Sequence, residues 1–184
     1  MKQSASQTVG PFFRIGLIHS WAQNNLVDEQ TVGERITLTG VVYDGADQPI
    51  PDALIEIWQP DAEGIFNHPL DPLHAQADPH FRGFGRAENR NAGKYEFKTI
   101  KPGGRDSMPP YINVHVFARG MLIHAMTRIY FSDEPANTDD PVLGSLEPER
   151  RHTLIATREE SEGPPVYRFD IHMQGDDETV FFSP

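Results

Sequence analysis

Eight histidines, one arginine at the end of a strand and a scatter of carboxylates are the residues of this chain that could do chemistry. His68, His74 and His80 recur at six-residue spacing, which invites a metal site. That spacing puts ligands on no common helix or strand face, and no neighbouring pattern supplies the partners that orient a ligating imidazole. Solvated loop histidines are the plainer reading. His115 and His124 stand singly, and a lone strand histidine more often packs or hydrogen-bonds than ligates. The chain has no nucleophile elbow, no phosphate-cradling glycine loop and no carboxylate pair distinctive enough for glycoside hydrolysis. Arg119, in "FARG", is the sharpest candidate. A guanidinium between Phe117 and Gly120 suits a small carboxylate through a bidentate contact, and suits an ordinary surface role as well.

The elements that must hold these residues are strands. In "MPPYINVHVFARG", residues 108–120, Ile112, Val114, Val116 and Ala118 point one way and Tyr111, Asn113, His115, Phe117 and Arg119 the other. The first face is core. At a rise of about 3.3 Å per residue, Arg119 lies roughly 20 Å from Asn113, so the two serve different ends of the strand. "RITLTGVVYDG", "ALIEIWQPD", "GKYEFKTIKPGG", "MTRIYFSD", "HTLIATREE" and "VYRFDIHMQ" add further strand signals, with "DGADQPIPD" a turn between the first two. In "YRFDIHMQ", Tyr167, Phe169, Ile171 and Met173 share the apolar face. Helix signals are confined to "DDPVLGSLEPERR", where Asp140 caps, Pro141 takes the first helical position and a second short turn starts near Glu147.

Seven or eight strands with one or two short helices and long loops predict an all-β fold, an antiparallel, prealbumin-like β-sandwich. Residues 1–33 read as an N-terminal arm that must dock to be ordered, and 34–184 as one sandwich domain. Residues 67–93 read as a long structureless stretch of the kind that carries function. The length of 184 residues, with 38% hydrophobic and 10% aromatic content, supports one sizeable core. A net charge of −11 argues against nucleic acid or an anionic membrane as partner. The absence of cysteine removes disulfides, thiolate metal sites and a thiol nucleophile. With no signal-peptide run and no membrane-spanning stretch, a cytoplasmic protein is expected.

The stretches "GVVYDGADQPIPDALIEIWQPDAEGIF", "DPHFRGFGR", "YEFKTIKPG", "YINVHVFARG" and "YRFDIHMQGDDETVFF" resemble, in order and over nearly the whole chain, the intradiol ring-cleaving dioxygenases. Catalytic chains of that family hold Fe(III) with two tyrosines and two histidines. The resemblance places those four positions on Phe66, Arg105, Tyr111 and Asn113, and a charge-balancing arginine on Met108. Phenylalanine has no donor atom, arginine brings a cation, and a single phenolate beside it does not hold iron. The resemblance therefore implies no metal in this chain. It poses the further question of whether Arg105, with Arg128 one strand later, fills the vacated position by pairing with acids.

"SQTVGPFF" and "FARG" resemble the non-catalytic α-type chains of two-chain members in particular. That implies a β chain as partner, carrying the Fe(III) and cleaving 3,4-dihydroxybenzoate with O2, in a higher oligomer of such pairs. It places Thr8, Gly10, Pro11, Phe12 and Arg119 at the substrate: the arm as pocket wall, Phe12 against a flat ring, Arg119 near the carboxylate. Two rivals stand beside this reading. One is a self-sufficient enzyme using His68, His74 or His115, and the other is a β-sandwich binding or scaffold module with no enzyme role.

Overall fold

The computed structural model describes residues 5–10, 16–18, 24–88 and 93–183. Among the described residues nine strands form the body: β1 Arg35–Tyr43, β2 Leu54–Trp58, β3 Phe84–Glu88, β4 Lys94–Ile100, β5 Ile112–Phe117, β6 Ala125–Phe131, β7 Ile155–Glu159, β8 Val166–Arg168 and β9 Ile171–His172. One hydrogen-bonded path runs β3-β2-β5-β6-β7-β8-β1-β4, with β9 also on β1. Its two ends, β3 and β4, are consecutive in the chain. They come together where Gly85 leaves room for Phe97, a Cβ there falling 3.1 Å from that ring. The path thus curls nearly closed around one core, in which Leu38, Phe97 and Tyr167 meet Ile55, Ile57, Val114 and Val116.

The β-rich, helix-poor expectation holds, but the purely antiparallel sandwich does not. β1 runs parallel to β8 and to β9, and β6 runs parallel to β7. Side-chain alternation reports which face of a strand is buried, not which strand lies beside it or in which direction. "YRFDIHMQ" divides into β8 and β9, though Tyr167, Phe169 and Ile171 are all buried as the alternation requires. Between them the Phe169 carbonyl accepts the Tyr95 hydroxyl at 2.6 Å and faces Gly40. Residues 67–93 are not structureless either. They contain a short 3-10 turn, His74–Gln76, and the strand β3. β3 escapes the sequence pattern because its inward positions are Gly85 and Ala87, small residues that alternation does not register. Gly85 is small for a reason, since a Cβ there would lie 2.7 Å from Leu26 Cδ1.

β5 is buried at Ile112, Val114 and Val116, as is Ala118 just past its end, and partly open on the alternate face as far as Phe117. The helix α1, Pro141–Ser145, begins where expected, with the Asp140 carboxylate accepting the Leu143 amide at 2.7 Å. A 3-10 segment, Pro148–Leu154, follows it. Within residues 1–33, the section from Asn24 lies along β4: Lys98 exchanges backbone hydrogen bonds with Asn24 and Leu26, and Leu26 enters the core.

Candidate functional site

The outer faces of four neighbouring strands present two transverse rows of side chains. Register places Phe84, Trp58, Asn113 and Arg128 opposite one another on β3, β2, β5 and β6. The next row in the same direction holds Arg86, Glu56, His115 and Met126. Phe182 closes one edge, its amide bonded to the Met126 carbonyl at 2.8 Å.

The four positions that the sequence resemblance assigns to metal ligands gather around the first row, in two groups. Phe66 stacks on Trp58 with ring centroids 5.6 Å apart, and its amide donates to Asp71 Oδ2 at 3.0 Å. Asp71 also receives Arg105 Nη1 at 2.9 Å, so Arg105 is neutralised by a nearly buried carboxylate. The Leu73 amide, then the Phe66 amide and the guanidinium, hold the Asp71 carboxyl below its ordinary range. Asn113 sits opposite Trp58 and Arg128, and Tyr111 lies beneath the Arg128 guanidinium, 4.3 Å from its ring centroid. Arg105 thus does pair with an acid. Arg128 pairs with no acid among the described residues, and is held instead between the rings of Tyr111 and Phe182. Its one hydrogen bond among the described residues is to the Tyr130 hydroxyl at 3.5 Å. Tyr130 in turn donates to the capping Asp140 at 3.1 Å, and burial first of all pushes its phenol up to about 12.

This set does not fit Fe(III). One position lacks a donor atom, one is a cation already paired, one is an amide, and the single phenol is covered by a second guanidinium. The described histidines do not offer a replacement. His68 lies edge-on to Trp58, His80 pairs with Asp28 and His115 packs on His124. Among the described residues no three His, Asp or Glu side chains are grouped to hold a metal ion.

At the far end of β5 three of the other predicted residues, Thr8, Gly10 and Arg119, come together. Thr8 Oγ1 accepts the Gly120 amide at 2.8 Å and donates to the Ala118 carbonyl at 3.4 Å, bracketing Arg119. The Gly10 amide folds back on the Thr8 carbonyl at 3.0 Å. Arg119 Nε rests on Asp52 Oδ2 at 3.2 Å, and 61% of its side chain is exposed. Its two terminal nitrogens have no partner among the described residues. Pro11 and Phe12 lie outside the described residues. Sequence reasoning missed Asp71, Asp52, Trp58 and Phe182, since only the folded register brings them to these positions.

A family model described as Dioxygenase matches residues 9–110. The chain belongs to the intradiol dioxygenase family. Within it, the chain is 42% identical to the protocatechuate 3,4-dioxygenase alpha chain of Pseudomonas putida, across 99% of this chain and 96% of that one. It is 33% identical to the beta chain of the same enzyme from Burkholderia cepacia, covering 89% of this chain and 74% of that one. Among solved structures, the dioxygenase domain of a carbohydrate-binding fusion from Streptomyces sp. SirexAA-E superposes with a TM-score of 0.67 at 23% identity, over 94% and 96% of the two chains, a likeness of fold. No helix among the described residues is long and apolar enough to cross a membrane.

Proposed function

We propose that this chain is the α-type, iron-free subunit of a protocatechuate 3,4-dioxygenase. The complex cleaves 3,4-dihydroxybenzoate between its two hydroxyl-bearing carbons with O2, giving 3-carboxy-cis,cis-muconate. The partner β chain supplies Fe(III) and its ligands. The observation that carries the reading is the side-chain set at the four ligand positions, where Phe66, paired Arg105, covered Tyr111 and Asn113 leave no donor set for the metal.

This chain's own contribution lies at the Arg119 end of β5. Arg119 presents a free guanidinium edge that recognises the substrate carboxylate, and Asp52 fixes its stem. Thr8 pins the arm beside it, so that Gly10, Pro11 and Phe12 continue as pocket wall and orient the ring. Leu122 and Ile123, in the same β5–β6 turn, are more than half exposed, which suits a surface covered in a permanent complex. Residues 1–33 then serve as the docking arm, residues 34–184 as the body, and several αβ pairs assemble in the cytoplasm.

The test is iron content and visible spectrum of the chain purified alone and after co-expression with its β partner. The reading requires a colourless, iron-free lone chain and a complex that holds one iron per pair and consumes O2 with protocatechuate. Stoichiometric iron in the lone chain overturns it.

A further inference from the structure

The two rows of side chains on β3, β2, β5 and β6, Arg86 apart, form the floor of a cleft of about 580 Å³, the size of many small-molecule sites. Phe84, Trp58, Met126 and Phe182 make its apolar lining, and Asn113, Thr127, His115, Glu56 and Arg128 bring the polar groups. Most of those polar groups are spoken for. Glu56 forms a close ion pair with Arg86, whose Nε is 2.7 Å from Oε1. The Thr127 hydroxyl donates to the Val180 carbonyl at 2.8 Å. His115 packs against His124 with the rings tilted, and burial, followed by that neighbour, holds its pKa down, which favours the neutral ring.

What remains is one charge and one amide. Arg128 meets no carboxylate among the described residues, and the Asn113 side chain has no hydrogen-bond partner there. A guanidinium stacked on rings keeps its edge N–H groups directed outward, in the fork that matches a planar anion. The order across the sheet is therefore apolar ring, indole, amide, cation. Neighbouring strands are about 4.8 Å apart, so Trp58 on β2 and Arg128 on β6 are separated by roughly 10 Å. That span accommodates a single aromatic ring against the indole, with its carboxylate at the guanidinium.

We infer that this cleft is a binding site for a small aromatic carboxylate, with Trp58 and Phe84 against the ring, Asn113 at its edge and Arg128 on the carboxylate. The site uses only this chain's residues and stands whether or not the subunit reading above holds. Aliphatic acids lack the flat face that the indole matches, and neutral aromatics leave the guanidinium unmatched.

The probe is benzoate, titrated into the full-length chain by equilibrium dialysis, with benzamide as the uncharged comparison. The expected result is one saturable benzoate, benzamide binding at least ~10-fold weaker, and a loss of ~10-fold or more in R128Q with partial recovery in R128K. No saturable benzoate, or equal affinity in R128Q, overturns the inference. A second readout does not depend on that variant folding. The chain has two tryptophans, so a Trp21→Phe background leaves Trp58 as the sole indole. Benzoate then quenches or shifts its emission with the same midpoint as the dialysis, and binding without such a change overturns the placement.

Discussion

Arg119 gives the sharpest mutational test of the proposed role. Substituting alanine removes the free guanidinium edge and leaves Asp52 Oδ2 without its partner, while Thr8 still clamps the backbone on both sides through Ala118 and Gly120. The fold at the end of β5 should therefore survive. Charge-assisted hydrogen bonds contribute about 1.5–3 kcal/mol each when water is excluded. Two parallel contacts to one carboxylate share the cost of desolvating a side chain that is 61% exposed in this chain, so their sum is discounted. A net of about 2–3 kcal/mol corresponds to ~30–150-fold in kcat/KM. The assay is steady-state O2 consumption by the reconstituted complex with protocatechuate and with catechol, which lacks the carboxylate. Arg119→Ala should cost protocatechuate that factor, chiefly in KM, and leave catechol within a few-fold. Arg119→Lys should recover part of the loss, because an ammonium keeps the charge without the fork. Equal losses for both substrates would refute carboxylate recognition and reduce Arg119 to a contact between chains.

Gly40→Ala would place a Cβ 1.8 Å from the Phe169 carbonyl oxygen, a backbone atom that cannot swing aside. We expect insoluble or unfolded protein, against a soluble Gly144→Ala control whose Cβ meets open space, as read by soluble expression and circular dichroism. Thr99→Val deprives the buried Gln59 Oε1 of its 2.7 Å donor, and urea unfolding should show a loss of about 1–3 kcal/mol with an unchanged m-value. His115 has a folded pKa held below its ordinary 6.5 by burial and then by His124. The unfolded chain therefore binds the proton first, and stability present above pH 6.5 falls as pH drops through the window beneath it. In His115→Gln that part of the pH dependence, followed by urea midpoints between pH 7.5 and pH 5, should flatten.

Strand faces were legible because burial imposes a period of two: the core face of β5, continued by Ala118 just past its end, is the one that alternation names. The cap at Asp140 was equally readable, since a short acceptor before proline has a local job. Partnering was not. Nothing in "RITLTGVVY" says that its neighbour is a parallel strand from the far end of the chain, and β3 was hidden behind Gly85 and Ala87. At the candidate site, motif order assigned Phe66, Arg105, Tyr111 and Asn113 to one place, but the fate of the two cations depends on the folded register. Arg105 found its acid in a loop turn, at Asp71, whereas Arg128 found rings.

The parallel pairing of β1 has a temporal side. Thr37–Thr39 waits for Val166–Arg168, and Val42–Tyr43 for Ile171–His172, so one flank of β1 is completed by strands made about 130 residues after it. At translation rates of about 5–20 residues per second, that edge stays open for roughly 6–25 s on the ribosome. Such distant pairing raises contact order and slows folding toward the millisecond-to-second range once the chain is released. Until then Leu38 and Val42, both fully buried in the finished fold, border an unpaired edge of the kind chaperones shield.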